Sequence, residues 1–205
     1  MPKNRLEAFS DGVIAIVITL LVLEIHVPPL PAHAGSQALW TALLSLLPNI
    51  AAYIISFLIC SIYWITHHNF VHDLREVDRT LLWSNNVFLL FLAFLPFPTA
   101  LLGQHPDEPV AAAFYGAVCT ATGLCFVFMR WYALVRGKLM RNEIPSYELE
   151  RRIRVGVLSP VLYFIGTALS FASPAVAIVM YLLVPLWYAV GQPGLRPHGR
   201  EGQPS

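Results

Sequence analysis

The chain has 205 residues, of which 57% are hydrophobic and 12% are charged, and its formal net charge is +1. Soluble domains carry about 25% charged residues, and a soluble domain of this size has too little interior to hide so much apolar surface. The composition therefore excludes an ordinary soluble protein. The near-neutral charge gives no sign of a nucleic-acid partner, and the lipid bilayer is the expected surrounding.

Six apolar stretches qualify as membrane spans. In chain order they cover about residues 6–27, 39–66, 80–102, 110–134, 155–172 and 175–191. We predict an all-α membrane protein with one six-helix transmembrane domain over residues 1–191. Residues 192–205 are rich in glycine, proline and polar side chains, which predicts a disordered cytoplasmic tail.

The basic residues predict the orientation of these spans. All 13 fall on one side of the arrangement: Lys3, Arg5, Arg75, Arg79, Arg130, Arg136, Lys138, Arg141, Arg151, Arg152, Arg154, Arg196 and Arg200. The opposite loops, residues 26–37, 103–109 and 172–174, contain none. By the positive-inside rule both termini are cytoplasmic, in a multi-pass protein of the cell membrane, and the number of spans is even.

The first span has two different faces when its residues are placed about 100° apart around a helix. One stripe lies within about 60° of Ile16 and includes Thr19, Leu20 and Leu23, together with Phe9, Gly12 and Val27. Ser10 lies about 120° from Ile16, and Asp11 about 140° from it in the other direction. A carboxylate at membrane depth needs a partner. We therefore expect Asp11 to face neighbouring helices rather than the side of the apolar stripe.

Several polar residues at the inner ends of the first three spans are candidate partners for Asp11. They are Arg5, Trp64, His67, His68, Asn85 and Asn86. Polar side chains in a membrane helix prefer contact with another helix over contact with lipid. We predict a hydrogen-bonded cluster that joins these three helix ends.

The first span also carries a recognisable motif. "RLEAFSDGVIAIVITLLVLEI" has an arginine, three residues and then Phe-Ser-Asp, which here are Arg5, Phe9, Ser10 and Asp11. This segment resembles the first-helix signature of the transmembrane protein 175 family of potassium channels, in its prokaryotic form. The similarity continues in "IYWITHHNF" and in "LLWSNNVFLLFLAFLPFPTALL".

The resemblance implies a tetrameric potassium channel whose pore is lined by the first helices and has no carbonyl-lined filter loop. It implies that Ile16, Leu20 and Leu23 form apolar constrictions and that Thr19 contributes to selectivity. It further implies a polar network that packs the helices together, made of Arg5, Phe9, Ser10, Asp11, Trp64, His68 and Asn86. Potassium is the expected permeant ion, and no cofactor and no enzymatic activity are expected.

Two other functions stay open from the residues alone. A proton-coupled secondary transporter would use Asp11 as its titrating group, and it would need Asp11 beside a water-filled path. A membrane enzyme would use a metal held by the cluster of His67, His68, His72 and Asp73. This cluster has the residue types of a metal site or a pH sensor, but it is also typical of hydrogen-bonded interfacial histidines. We expect no bound metal there.

Overall fold

The computed structural model describes residues 3–30, 33, 35–137, 139–141 and 146–191, so the predicted tail over residues 192–205 lies outside the described residues. Helices dominate the described chain. They are α1 (Lys3–Leu23), α2 (Ser36–Ser45), α3 (Leu47–His72), α4 (Arg79–Ala93), α5 (Pro96–Gln104), α6 (Pro109–Trp131), α7 (Ser146–Leu169) and α8 (Pro174–Gly191), with a π-helical turn at Tyr132–Arg136 after α6.

Four helical segments within the described ranges are long and apolar enough to cross a membrane. They are Lys3–Leu23, Leu47–His72, Arg79–Gln104 and Pro109–Arg136. Two further apolar helices, Ile153–Leu169 and Pro174–Tyr188, are shorter. The fold is therefore that of an all-α, multi-pass membrane protein. The count of six spans and the cytoplasmic location of both termini stay predictions.

Prolines divide two of the predicted spans. The second one is split at Leu46 into α2 and α3, and Pro48 lies in the first turn of α3. The third is split after α4, and Pro96 begins α5. A proline has no N–H to donate to the preceding turn, and its fixed φ suits the first turn of a new helix. The chain therefore restarts a helix at each of these prolines.

Helix α6 lies at the centre of the bundle, in contact with α4, α5, α7 and α8. Tyr181 on α8 donates a hydrogen bond to the carbonyl oxygen of Ala112 on α6 at 3.0 Å. The close approach depends on Gly116, because a Cβ atom there would overlap the Tyr181 hydroxyl and Thr167 Oγ1. Helix α1 packs against α3 and α4 at one side of this bundle.

Several helix ends meet at one end of the molecule. Lys3 Nζ donates to the carbonyl oxygen of His72, which joins the start of α1 to the end of α3 at 3.1 Å. The loop after α3 pairs with the segment after α6, because Arg75 N donates to Leu139 O at 2.8 Å and Arg141 N donates to Asp73 O at 2.9 Å. This end of the molecule carries many of the basic residues that the sequence places on one side.

Candidate ion-conduction face and polar network of the first helix

Helix α1 is buried on one face only. Its buried residues recur every three or four positions, as expected for a helix packed against a bundle: Leu6, Ser10, Ile14, Val17 and Leu21. The opposite face is uncovered within the chain, and the exposed fractions are 59% for Ile16, 41% for Leu20 and 66% for Leu23. Thr19 is also exposed. The predicted apolar stripe is thus the side of α1 that the rest of the chain leaves free.

A fully buried polar cluster lies on the packed side of α1. Asn85 Nδ2 on α4 donates to Ser10 Oγ at 3.0 Å, and His67 Nε2 on α3 lies 2.8 Å from Asn85 Oδ1. Because an amide oxygen only accepts hydrogen bonds, His67 donates this one from Nε2. The His67 ring is stacked on Phe88, with ring centroids 5.9 Å apart. Three helices are therefore joined by one asparagine.

Asp11 lies beside this cluster and points toward α3. Trp64 Nε1 donates to Asp11 Oδ1 at 3.1 Å. Glu7 lies one turn before Asp11 on α1, and His68 lies one turn after Trp64 on α3. His68 Nδ1 is 3.1 Å from Glu7 Oε1. The carboxylate of Asp11 thus has an indole donor on the neighbouring helix and does not lie on the Ile16 stripe.

The structure differs from the sequence analysis over two members of the network. His67 rather than His68 joins Ser10, through Asn85, while His68 pairs with Glu7. Asn85 rather than Asn86 is the buried amide, and Asn86 is exposed. In both pairs the residue buried in the cluster is the immediate neighbour of the residue that the sequence analysis named, although His68 still lies close to Asp11. Consecutive helical residues point about 100° apart, so the choice depends on how each helix is rotated in the bundle.

Arg5 and Phe9, which the motif assigned to the network, lie outside the buried cluster. Both are exposed, and Phe9 and Asn86 together line a surface cavity beside Trp83. Glu7 was missed by the sequence analysis, although it stands one helical turn before Asp11. His67 carried a usable sequence signal, because it stands at helical spacing from the apolar residues Ile59, Tyr63 and Phe70, which are buried with it along α3.

The hydroxyl group of Thr19 points back along its own helix. Its Oγ1 donates a hydrogen bond to the carbonyl oxygen of Ile16, one turn earlier, at 2.8 Å. The hydrogen is therefore used within the helix, and the lone pairs of the oxygen remain available as acceptors. On this exposed face the hydroxyl is suited to accept a bond from water or to contact a cation.

Fold and site together define a multi-pass helical protein whose first helix is held by a buried polar cluster and leaves an apolar face uncovered. The sequence profile of the family described as "Endosomal/lysosomal potassium channel TMEM175" matches residues 5–96. A protein of Streptomyces collinus named as a potassium channel is 37% identical over 197 residues, which cover 93% of this chain and 93% of that protein. The chain belongs to the TMEM175 family.

A solved structure agrees with this assignment. The crystal structure of a lysosomal potassium-selective channel TMEM175 homolog from Chamaesiphon minutus matches with a TM-score of 0.80 and 32% identity, over 92% of this chain and 96% of that one. The human relative, named as an endosomal/lysosomal proton channel, is 28% identical over 187 residues. These cover 91% of this chain but 36% of the human protein. The family is thus one of ion channels, and its members carry names that refer to two different cations.

Proposed function

We propose that this protein is a potassium channel in which the exposed face of α1, repeated in several copies of the chain, surrounds the ion path. The observation that carries the proposal is the uncovered apolar face of Ile16, Leu20 and Leu23, opposite the buried face of the same helix. A single helix cannot enclose a pore. The proposed assembly is a homotetramer, as the family resemblance of the first span implies.

In this proposal the three apolar residues form the gate. A rise of 1.5 Å per residue separates Ile16 from Leu23 by about 10 Å along the helix, with Leu20 between them. Four copies of each side chain would make stacked apolar rings. A narrow ring of methyl groups excludes water, and an ion cannot leave its hydration shell without polar groups to replace it. Opening therefore requires α1 to move outward until hydrated or partly hydrated potassium can pass.

Thr19 is the proposed source of selectivity. Its hydroxyl hydrogen is held by the carbonyl oxygen of Ile16, so four Thr19 oxygens can offer lone pairs to an ion on the pore axis. Potassium gives up its water ligands more readily than sodium does. No Thr-Val-Gly-Tyr-Gly segment occurs in the chain, so a filter of backbone carbonyls is not expected. Four hydroxyls replace fewer water ligands, and we expect weaker selectivity than such a filter provides.

The buried cluster has the role of a scaffold in this mechanism. Ser10 is bound to Asn85 on the side of α1 that faces away from Ile16. This contact fixes the rotation of α1, because a rotated helix would carry Ser10 away and leave Nδ2 of Asn85 without a partner in a buried place. Fixing the rotation keeps the apolar stripe directed at the pore axis.

The proposed topology has six spans with both termini in the cytoplasm. It is supported by the distribution of all 13 basic residues and by the contacts that bring the start of α1, the end of α3 and the segment after α6 to one end. The shorter helices α7 and α8 would form the last membrane hairpin.

The position of Asp11 favours a channel over a proton-coupled transporter. A transporter of that kind needs its carboxylate beside the substrate path. Asp11 instead accepts a hydrogen bond from Trp64 on the neighbouring helix, away from the Ile16 stripe. The animal relatives are named as proton channels, so proton efflux is measured beside potassium efflux in the liposome assay described below.

Liposomes that contain the purified protein test this function. Potassium efflux is compared with sodium and proton efflux, and protein-free liposomes are the control. The proposal predicts passive potassium efflux above the control and above sodium efflux, and a tetramer by native mass spectrometry. Potassium efflux equal to that of protein-free liposomes, with the protein correctly folded, would contradict it.

A further inference from the structure

Three ligand-bearing side chains outside the proposed ion path meet between α1 and α3. They are Glu7 and Asp11, one turn apart on α1, and His68 on α3. Each offers one oxygen or nitrogen atom, and these three atoms all lie within 4.8 Å of one another. Within this cluster, His68 Nδ1 lies 3.1 Å from Glu7 Oε1.

This donor set suits a first-row divalent metal ion. One imidazole nitrogen and two carboxylate oxygens are common ligands of Zn²⁺, at about 2.0–2.2 Å from the ion. Ligand atoms at that range lie about 3–4 Å from each other. The observed cluster comes close to this spacing, and small side-chain rotations would complete it. The side chains of His68 and Glu7 are 49% and 26% exposed, so an ion and a fourth, water ligand have access.

Charge favours a cation at the same place. Two carboxylates that lie side by side repel each other, and this cost is relieved when a positive charge stands between them. Trp64 donates one neutral N–H group to Asp11, and His68 provides one ring nitrogen to Glu7. A divalent ion would offset both carboxylate charges at once.

We propose that Glu7, Asp11 and His68 form a binding site for one divalent transition-metal ion, with Zn²⁺ as the reference ion. The proposal departs from our expectation from the sequence, which considered the histidines of α3 without Glu7 and predicted no metal. A bound ion would link α1 to α3 beside the Ser10–Asn85 contact, since Asp11 directly follows Ser10. It would therefore restrain the same helix whose movement opens the proposed gate.

Equilibrium binding of Zn²⁺ to the detergent-solubilised full chain tests the site directly and does not depend on ion conduction. Because histidine is a common Zn²⁺ ligand wherever it occurs, the measurement is a comparison between variants. Glu7→Gln and His68→Ala each remove one ligand from a partly exposed position. The matched control is His72→Ala, one turn further along α3, where His72 lies 3.9 Å from Asp73 and outside the three-residue cluster.

We expect the unmodified chain and the His72→Ala variant to bind one more Zn²⁺ per chain, at micromolar concentration, than either ligand variant. We expect the affinity of this site to fall at least about tenfold in both ligand variants, because even outer-shell changes cost that much. Size-exclusion profiles show whether each variant is folded, and Glu7→Gln preserves the shape of the side chain. Equal Zn²⁺ stoichiometry and affinity in the unmodified chain and in Glu7→Gln would overturn the proposal.

Discussion

Asn85 donates a hydrogen bond to Ser10 at 3.0 Å, although 75 positions separate the two residues in sequence. Both side chains are fully buried, and the same amide accepts from His67. This contact lies on the face of α1 opposite the exposed apolar stripe. The rotation of the first helix, and with it the direction in which Ile16 points, thus depends on a polar contact made by a distant part of the chain.

The Asn85 contact predicts that replacing Asn85 by alanine costs far more stability than replacing its neighbour Asn86. Asn85→Ala leaves the Ser10 hydroxyl and His67 Nε2 buried without their partner, which costs about 1–3 kcal/mol per unsatisfied group. Asn86→Ala removes an exposed amide and is expected to change stability by less than about 0.5 kcal/mol. Thermal unfolding of the two variants in detergent, followed by size-exclusion chromatography, measures the difference. Equal losses in both variants would contradict the role assigned to Asn85.

The close contact of α6 with α7 and α8 predicts that Gly116 does not tolerate a methyl group. A Cβ atom there would overlap the Tyr181 hydroxyl and Thr167 Oγ1, so Gly116→Ala should destabilise the fold by about 1–3 kcal/mol. Gly156→Ala is the control, since its Cβ would lie 3.7 Å from Val127 Cγ2, an ordinary contact. The control should be neutral or stabilising by up to about 1 kcal/mol, because alanine favours a helix. A lower melting temperature for Gly156→Ala than for Gly116→Ala would contradict this packing.

The proposed gate predicts that a smaller side chain in the stripe makes the closed channel leak. Ile16→Ala and Leu23→Ala both shorten a side chain that lies on the exposed face and should raise basal potassium efflux from liposomes. Val22→Ala is the matched control, because Val22 is 47% exposed on the same helix but lies about 100° away from Leu23. If both stripe variants leak no more than Val22→Ala, these residues do not form the gate.

The proposed role of the Thr19 hydroxyl predicts that a substitution of similar side-chain shape without the hydroxyl lowers the selectivity for potassium over sodium. Thr19→Val replaces the hydroxyl by a methyl group, so the proposed oxygen ligands disappear, and the ratio of potassium to sodium efflux should fall toward one. Thr19→Ser retains the hydroxyl and should preserve most of the ratio. An unchanged ratio in Thr19→Val would place the selectivity elsewhere.

Some of this structure could be predicted from the sequence because it depends on local periodicity. The exposed stripe of Ile16, Leu20 and Leu23 and the direction of Asp11 follow from about 100° per residue within one continuous helix. The helical breaks near Pro48 and Pro96 also have a local cause, although the predicted spans ran through them. Features of this kind need no knowledge of distant contacts.

The residues that form hydrogen bonds between different helices could not be predicted in the same way. Neighbouring residues such as Asn85 and Asn86, or His67 and His68, have the same chemistry, and only the rotation of α4 and α3 in the bundle selects between them. That rotation is set by the packing of many side chains at once, for example Phe88 against His67. The function that we propose for the uncovered face depends on further copies of the chain and is likewise absent from any local pattern.

The central claim, that the exposed face of α1 lines the ion path, is tested most directly by thiol modification. Leu23→Cys and Val22→Cys each place one new thiol on α1, while native Cys60 and Cys119 are buried. A positively charged thiol reagent is added to liposomes during potassium efflux, with the unmodified chain as the control for Cys125. The account predicts that efflux falls in Leu23→Cys and is unchanged in Val22→Cys and in the control. Complete modification of Leu23→Cys with no change in efflux would contradict it.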